Sequence, residues 1–195
     1  MALVTGPDCG TFWMERQEVT VERWERYLRE VDAGEPRRDD PSCNWGDGGR
    51  GTHPANCVSW DEARGFCRWD LGTGASLTGD LPTWGQWNCA ARGPEQRTWP
   101  WGEAAPEGRV CAVDTTCPVG SFPAGATPDH CIQHLAGNVG EWGREETDAG
   151  GFYVYGSAFD EPPRDLTDAR NNMIPFHRAT TLRTVGFRCV AAARQ

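Results

Sequence analysis

The sequence predicts an α+β fold that is rich in loops and contains only a few short helices and short strands. Three observations support this class. The 195 residues include 24 Gly and 14 Pro, which interrupt regular structure at short intervals. Capping residues followed by helical periodicity occur in the first half of the chain. Beyond the third such segment, short apolar pieces separated by Gly and Pro continue to the end, as is typical of short strands and ordered loops.

The first predicted helix covers about residues 21–31 and follows an extended segment over residues 1–19. Thr20 supplies a capping hydroxyl directly before it. The apolar residues at helical spacing are Val21, Trp24, Tyr27, Leu28 and Val31. They are expected to form one buried face. Residues 32–56 are polar and rich in Gly, Asp and Pro, so a long loop is expected there.

Two capping boxes predict the second and third helices. Residues 59–62 (Ser-Trp-Asp-Glu) open a helix that runs to about residue 69. Residues 83–86 (Thr-Trp-Gly-Gln) open another, which runs to about residue 91. In each box the hydroxyl accepts from a backbone N–H three residues on, while the Glu or Gln side chain reaches back to the cap.

The composition restricts the classes of function. Hydrophobic residues make up 38% and the mean hydropathy is −0.62, so ten Trp and seven Phe must fill much of the core. The formal net charge of −9 argues against a nucleic-acid partner, because phosphate contacts need a cationic face. No apolar run approaches the length of a membrane span, and the N-terminus lacks the basic and apolar regions of a signal peptide.

The cysteine content predicts disulfides and slightly favours an extracytoplasmic location. Nine cysteines are many for a reducing compartment, although in such a compartment the thiols could pack as apolar groups. The odd count leaves at least one thiol unpaired within the chain. Loop proximity favours the pairs Cys43–Cys57 and Cys111–Cys117. Cys89 lies on the third predicted helix, where we expect a small buried apolar residue rather than a nucleophile.

The most distinctive stretch is residues 135–142, Leu-Ala-Gly-Asn-Val-Gly-Glu-Trp, together with the closing residues 185–189, Val-Gly-Phe-Arg-Cys. Two glycines allow a tight backbone path where a Cβ would clash. Asn138 is short enough to bond its own backbone in such a turn. Glu141 and Trp142 then supply a hydrogen-bond acceptor and a large packing surface.

The Gly-Asn-Val-x-Glu-Trp pattern resembles the central signature of the formylglycine-generating enzyme (sulfatase-modifying factor) family, which has a variant of the C-type lectin fold. Further motifs follow the family's order at residues 18–20, 58–69, 81–93, 99–102, 118–121 and 186–188. The resemblance implies a single domain over residues 1–195. Only Met1 to Gly10 could stand where the family usually has a Gly-rich strand and a Met-Gly turn. We therefore expect a domain trimmed at its N-terminus, or the C-terminal module of a larger protein.

The resemblance also bears on chemistry. Aerobic family members oxidise a substrate cysteine with two cysteines that hold copper, just after a Gly-Gly-Ser-Trp strand. The corresponding residues 155–164 contain no cysteine, and Cu(I) selects soft thiolate ligands. A copper-dependent oxidase is therefore not expected; an oxidase that uses an unassigned cysteine, or an iron oxygenase, is the alternative. The resemblance further implies a disulfide between Cys67 and Cys189, which leaves Cys9, Cys89 and Cys131 unassigned.

Calcium is the one weak cofactor candidate. The family's calcium site implies ligands from backbone carbonyls around Gly137 and Val139, the Glu141 carboxylate, and an Asp or Asn three residues before the Gly. His134 stands at that last position, which weakens the site because Ca²⁺ prefers hard oxygen ligands. Glu141 would alternatively accept hydrogen bonds from backbone amides or an Arg. His130 and His134 have a metal-like spacing, but their segment lacks a helical pattern, so loop histidines are favoured.

Residues 152–178 are the predicted ligand-binding surface. The candidate residues are Phe152, Tyr153, Tyr155, Arg164, Arg170, Asn171, Asn172, Phe176, His177 and Arg178. Aromatic residues and Arg are enriched at binding hot spots, and in C-type lectin folds this stretch forms a ligand-facing surface on a rigid scaffold. About half of the segment is expected to be core or loop-anchoring; Phe159, for example, stands where the family has a buried Trp.

The leading hypothesis is a non-catalytic recognition module, a pseudoenzyme, that binds a protein or peptide. One alternative is a variable ligand-binding protein of a diversity-generating retroelement, of which the adjacent Asn171 and Asn172 are faintly reminiscent. Another is a structural domain fused to an effector. A membrane or nucleic-acid partner is not expected.

Overall fold

The computed structural model describes residues 1–32, 40–72, 77–169 and 172–193. The helices in these ranges are α1 (Val21–Glu30), α2 (Trp60–Gly72) and α3 (Trp84–Arg92). The strands are β1 (Ala2–Gly6), β2 (Gly10–Met14), β3 (Leu77–Asp80), β4 (Gly140–Glu146), β5 (Phe152–Tyr155), β6 (Met173–Phe176), β7 (Val185–Gly186) and β8 (Val190–Ala193). The predicted loop-rich mixture of short helices and short strands is confirmed.

The three predicted helices form with their predicted caps. The Thr20 hydroxyl accepts from the N–H of Arg23, and reciprocal capping-box bonds occur in residues 59–62 and 83–86. Val31 lies beyond the end of α1 and is 40% exposed, so the buried face of this helix is one turn shorter than expected. No helix in the described part of the chain is long and apolar enough to cross a bilayer.

The first sheet brings the two ends of the chain together. Its strand order is β1-β2-β8-β3, and all three pairings are antiparallel. Residues 1–19, predicted only as extended, fold back as the β1–β2 hairpin. The alternate residues Ala2, Val4, Phe12, Met14 and Val190 point into one apolar core, where they meet Trp87 of α3. The period of two along the strands places these side chains on one face.

The helix α2 covers the other face of the first sheet at its β3 end, whereas Leu3 and Trp13 of the β1–β2 end remain exposed. Gly79 of β3 lies so close to this helix that a Cβ there would be 2.0 Å from the carbonyl oxygen of Cys67. The Cys67–Cys189 disulfide joins α2 to the residue before β8. The helix is therefore held against the sheet both by close backbone approach and by a covalent bond.

The second sheet has the order β6-β5-β4-β7 and divides the aromatic core in two. β4 and β7 are parallel, and the other neighbours are antiparallel. Phe152 and Val154 pack with Trp142 in one apolar cluster, whereas Tyr155 packs in the cluster that contains Trp87. Neighbouring residues of a strand face opposite sides, so the second sheet packs against one apolar cluster with each of its two faces.

Four disulfides are present. The predicted pairs Cys43–Cys57, Cys67–Cys189 and Cys111–Cys117 are confirmed. The expectation for Cys89 was wrong, because it is bonded to Cys9, 80 residues away in sequence. The β1–β2 hairpin turn, which carries Cys9, reaches α3, and a separation of this size gives no local signal. Cys131 is the single unpaired cysteine and is exposed, as the odd count requires.

We expect Gly79→Ala to destabilise the fold. The added methyl group would overlap a backbone carbonyl, which cannot rotate away, so the free energy of unfolding should fall by about 3 kcal/mol. Gly85→Ala is the matched control, because a Cβ there would lie 3.8 Å from its nearest neighbour, and alanine should raise stability by about 0.5 kcal/mol. Urea unfolding of both variants measures the difference; equal effects would contradict the packing of α2 on β3.

Candidate functional site

The signature loop is held in a left-handed backbone conformation against a neighbouring disulfide loop. Gly137 has a φ of 84° and Asn138 a φ of 63°. A Cβ at Gly137 would lie 2.6 Å from the carbonyl oxygen of Cys111, so only glycine fits there. The N–H of Asn138 donates to the same carbonyl oxygen at 2.8 Å.

The Asn138 side chain bonds to other segments rather than to its own backbone, which corrects the expectation from the turn pattern. Its Oδ1 accepts from the N–H of Cys117 at 2.9 Å, and its Nδ2 donates to a Glu18 oxygen at 2.9 Å. The Cys111–Cys117 loop and the segment before α1 both reach the turn in space. Asn138 therefore joins three parts of the chain.

Glu141 and Arg188 form a bidentate ion pair that is fully buried. Nε of Arg188 donates to Oε2 of Glu141 at 2.8 Å, and Nη2 donates to Oε1 at 2.6 Å. The indole N–H of Trp87 donates to the same carboxylate at 2.9 Å. Arg188 also donates to the carbonyl oxygens of Glu15 and Gln133. These additional bonds are what make a buried ion pair tolerable.

A second carboxylate, Glu15, lies beside this pair. Its Oε1 is 2.6 Å from Nη1 of Arg23, and its Oε2 accepts from the N–H of Cys189 at 2.8 Å. Burial raises the pKa of Glu15, and the Arg23 charge opposes that rise. Arg23 also contacts Asp70 on α2, so the pairing extends from the strand end to the helices.

A third carboxylate, Glu18, has no arginine of its own. It is 1% exposed, and its Oε1 has no hydrogen-bond partner. Burial raises the pKa of Glu18 to about 8, against the attraction of Arg188 and with a further increase from the Glu141 charge. The raised pKa favours the neutral carboxylic acid form of Glu18 at pH 7.

His134 is a second buried group whose neutral form is favoured. Its ring is 4% exposed and meets Phe122 edge-on, and neither ring nitrogen has a partner. Burial, followed by the positive charge of Arg188, lowers its pKa to about 4. His130 lies in the same non-helical segment. In the described ranges, no group of three or more His, Cys, Asp and Glu side chains is placed to hold a metal ion.

The residues present do not fit the calcium site that the resemblance implies. Both oxygens of Glu141 are already bonded to Arg188. His134 offers an imidazole where a hard oxygen is wanted. The Arg188 guanidinium supplies the positive charge that a cation would bring to this carboxylate.

The predicted ligand-binding segment divides into buried and accessible parts. Phe152, Tyr155 and Asn172 are buried. Tyr155 is completely enclosed, with its hydroxyl donating to Glu145 and its ring against Trp84, so its placement on a ligand-facing surface is corrected. The half-buried or exposed members are Tyr153, Arg164, Phe176, His177 and Arg178. Arg170 and Asn171 lie outside the described residues. Phe159 is buried, as expected, with the Arg183 guanidinium 5.0 Å from its ring.

A groove of about 170 Å³ opens on one face of the second sheet. Its floor contains residues from all four strands: Gly140, Val154, Ile174, Phe176 and Val185. Its wall is formed by the segment after β5 and by Thr184; the wall residues of that segment are Gly156, Ala158, Asp160, Glu161 and Arg164. Asp160 pairs with Arg183 at 2.8 Å, and Glu161 pairs with Arg164. The groove thus has an apolar floor and a charged rim.

The sequence predicted only some of the residues that line this groove. Arg164 and Phe176 were predicted, whereas Ala158, Asp160 and Ile174 were not. Aromatic residues and Arg indicate binding hot spots, whereas Ala and Ile carry no such signal. The alternation along β6, which places Ile174 and Phe176 on one face, is a signal that could have found the floor.

One wall of the groove is formed by part of residues 155–164, the stretch that the family resemblance singled out for its lack of cysteine. Among the residues that line it there is no cysteine and no histidine. Eight of the nine cysteines are in disulfides, and the free one, Cys131, does not line the groove. The groove offers apolar contacts, two carboxylates and guanidinium groups, which suit binding.

The two-sheet fold with its buried signature loop defines a C-type-lectin-like domain of the formylglycine-generating enzyme kind. The profile of the sulfatase-modifying factor enzyme 1-like domain matches residues 7–193, so the chain belongs to this family. The formylglycine-generating enzyme of Mus musculus is 27% identical over 182 residues, covering 73% of this chain and 45% of that protein. That of Streptomyces coelicolor is 36% identical over 113 residues, covering 48% of this chain and 32% of that protein. The chain thus spans less than half the length of these relatives.

Solved structures share the fold at low sequence identity. CarF superposes with a TM-score of 0.74 at 18% identity, covering 93% of this chain and 86% of CarF. PvdO from Pseudomonas aeruginosa gives 0.72 at 17% identity, covering 98% and 90% of the two chains. Treponema denticola variable protein 1 gives 0.69 at 16% identity, covering 97% and 91%. These similarities establish the fold alone.

We expect Glu18→Gln to change how stability depends on pH. The folded protein keeps the Glu18 proton up to about pH 8, whereas the ordinary pKa is 4.5. The stabilisation from this group is therefore lost as pH rises from 4.5 through 8. Glutamine keeps an acceptor for Asn138 and cannot ionise, so its advantage over wild type should grow by roughly 2–4 kcal/mol between pH 5 and pH 9.

Urea unfolding at several pH values measures this difference. The titration of His134 occurs in both proteins and cancels in the comparison. The matched control is Glu107→Gln, since Glu107 is exposed and its variant should follow wild type throughout. Parallel curves for Glu18→Gln and wild type would mean that Glu18 is ionised in the folded protein.

We expect calcium to leave the melting temperature unchanged to within about 1 °C. A ligand at a hundredfold excess over its Kd stabilises by about 2.7 kcal/mol, which corresponds to about 5 °C or more for a chain of this size. Because Arg188 occupies the Glu141 carboxylate, no such gain is expected. Thermal unfolding in EDTA, in calcium and in magnesium at equal ionic strength tests this, and a rise of several degrees with calcium alone would contradict it.

Proposed function

We propose that this protein is a non-catalytic recognition module of its family, which binds a protein or peptide through the groove and the accessible part of residues 152–178. The observation that carries the proposal is the groove itself, with an apolar floor inside a charged rim. Concave sites that combine apolar lining with a few placed polar groups are the usual form of ligand sites.

The wall of the groove is anchored to the signature loop, which supports a preformed site. The Ser157 hydroxyl accepts from the N–H of Gly137 at 3.1 Å, and the N–H of Phe159 donates to the carbonyl oxygen of Asn138 at 2.9 Å. On the other side, the N–H of Gly156 donates to the carbonyl oxygen of Asn172. A wall held in this way loses little conformational entropy on binding.

An enzyme is the second candidate, favoured by the similarity to formylglycine-generating enzymes. Against it stands the absence of cysteine from residues 155–164. The one thiol outside the disulfides, Cys131, does not line the groove. The similarity in fold to Treponema denticola variable protein 1 is compatible with a ligand-binding scaffold. A variable ligand-binding protein of a diversity-generating retroelement would likewise be a binding protein rather than an enzyme.

The proposal is tested with a dodecapeptide display library selected on the immobilised protein. Enriched peptides are synthesised and their affinities measured for wild type and for Arg164→Ala/Arg178→Ala. Arg164 holds the groove wall by donating to the carbonyl oxygen of Gly156 and by pairing with Glu161. Arg178 offers an exposed contact surface, so loss of both side chains should weaken binding at least about tenfold, or 1.4 kcal/mol. Arg29→Ala is the matched control, because this exposed arginine lies on α1 and its loss should change nothing.

Two results would contradict the proposal. One is a library from which no peptide binds above background, or binders that are insensitive to the double variant. The other is stoichiometric copper or iron in the purified protein together with oxidation of a cysteine-containing peptide, which would establish the enzyme instead. Circular dichroism of each variant confirms that the fold is retained.

A further inference from the structure

Within the proposed binding function, we infer that the groove recognises one apolar side chain of leucine or phenylalanine size, presented by a peptide next to a basic residue. Three features of the groove carry this inference: the chemistry of its floor, its size, and the charges along its wall.

The floor is an apolar strip across the second sheet. Ile174 and Phe176 lie two residues apart on β6 and face the same side, opposite Val154 and Phe152 of β5. Both are half-buried, so part of their apolar surface remains open to a ligand. Val185 continues the strip from β7. Covering such surface with an apolar side chain is favourable in proportion to the area removed from water.

The size of the groove is set by small residues. Gly140, Gly156 and Ala158 line it, and these residues leave the space open because none of them carries a side chain beyond Cβ. A Cβ at Gly140 would lie 2.7 Å from Val154 Cγ1, and one at Gly156 would lie 3.2 Å from the Trp87 ring, so the layer beneath is already closely packed. A volume of about 170 Å³ is close to the roughly 150 Å³ of a cavity that accepts benzene. One leucine or phenylalanine side chain matches this space.

The wall favours a cationic neighbour for that side chain. Asp160 and Glu161 follow each other along it, paired with Arg183 and Arg164 respectively. Each carboxylate is about one-third exposed, at 33% and 30%, and an ionised carboxylate has more lone pairs than its arginine uses, so it can also accept a hydrogen bond from a ligand cation. The net charge of −9 on the chain adds a long-range attraction for a basic peptide.

Recognition by main-chain pairing is disfavoured beside the groove. β6 is the last strand in the order of the second sheet, and Pro175 lies within it. Proline has no N–H to donate to an added strand and is typical of protected edges. A bound peptide therefore depends on side-chain insertion into the groove rather than on extending the sheet.

The test uses hexapeptides acetyl-Gly-Ser-X-Lys-Ser-Gly-amide in which X is Leu, Phe, Trp or Ala, with affinity measured by NMR titration. The Leu and Phe peptides should bind about tenfold or more tighter than the Ala peptide, and the Trp peptide should bind more weakly than either. Replacing Lys by Glu in the Leu peptide should weaken binding about threefold. Equal affinities for Leu and Ala would overturn the inference.

Ala158→Leu should fill the groove and abolish the preference for Leu over Ala. Ala112→Leu is the matched control, because Ala112 is exposed away from the groove lining and its variant should bind as wild type. Should Ala158→Leu fail to fold, Ile174→Ala reduces the apolar floor instead and should lower the Leu preference severalfold.

The outcomes separate this inference from the proposed function. Library peptides that bind wild type and lose affinity with Arg164→Ala/Arg178→Ala, yet ignore Ala158→Leu, would overturn the apolar anchor and leave the recognition module standing. A dimer in sedimentation that Ala158→Leu disrupts would show that a second copy fills the groove, which also overturns the inference. If neither the library peptides nor the hexapeptides bound, both this inference and the proposed function would be contradicted.

Discussion

The buried ion pair between Glu141 and Arg188 is the interaction on which the rest of the structure depends. It joins the signature loop to the closing motif, and through further hydrogen bonds it reaches Trp87 on α3 and the carbonyl oxygen of Glu15 after β2. Removing either partner would leave a lone charge in the interior, at a cost of about 3–5 kcal/mol. A substitution of either residue is therefore expected to destabilise the fold, whatever its effect on function.

Burial beside this pair shifts the pKa values of two neighbouring groups. One negative and one positive charge already balance in a region closed to water. Adding a third charge there would be costly, so Glu18 holds its proton and His134 remains without one. Burial also raises the pKa of Glu15, and Arg23 opposes that rise because it provides a separate partner. The opposite pKa shifts of Glu18 and His134 thus have one cause, the burial of groups around a charge balance that is already complete.

How far the fold and site could be predicted depends on whether the determining contacts are local. Ser59 and Glu62 cap α2 across three residues, so the sequence displays the whole interaction. The Cys9–Cys89 bond depends on where a hairpin turn meets α3, which no spacing reveals. Tyr155 has a residue type typical of binding surfaces, but Glu145 and the α3 aromatics bury it. For the groove, the sequence predicted a contributing segment, residues 152–178, but not most of the side chains that line it.

Consecutive residues of β4 belong to different features, one to the groove and the next to the buried ion pair. Gly140 lines the groove, and the next residue, Glu141, enters the buried pair on the opposite side of the strand. Side chains on the groove side, such as Ala158 and Ile174, can therefore be substituted without touching the charge balance. Gly140 is the exception, because a Cβ there would meet Val154 at 2.7 Å and disturb the sheet itself. Under the proposed binding function, specificity could consequently vary along the wall and the β6 part of the floor, but not at Gly140 on the strand that carries Glu141.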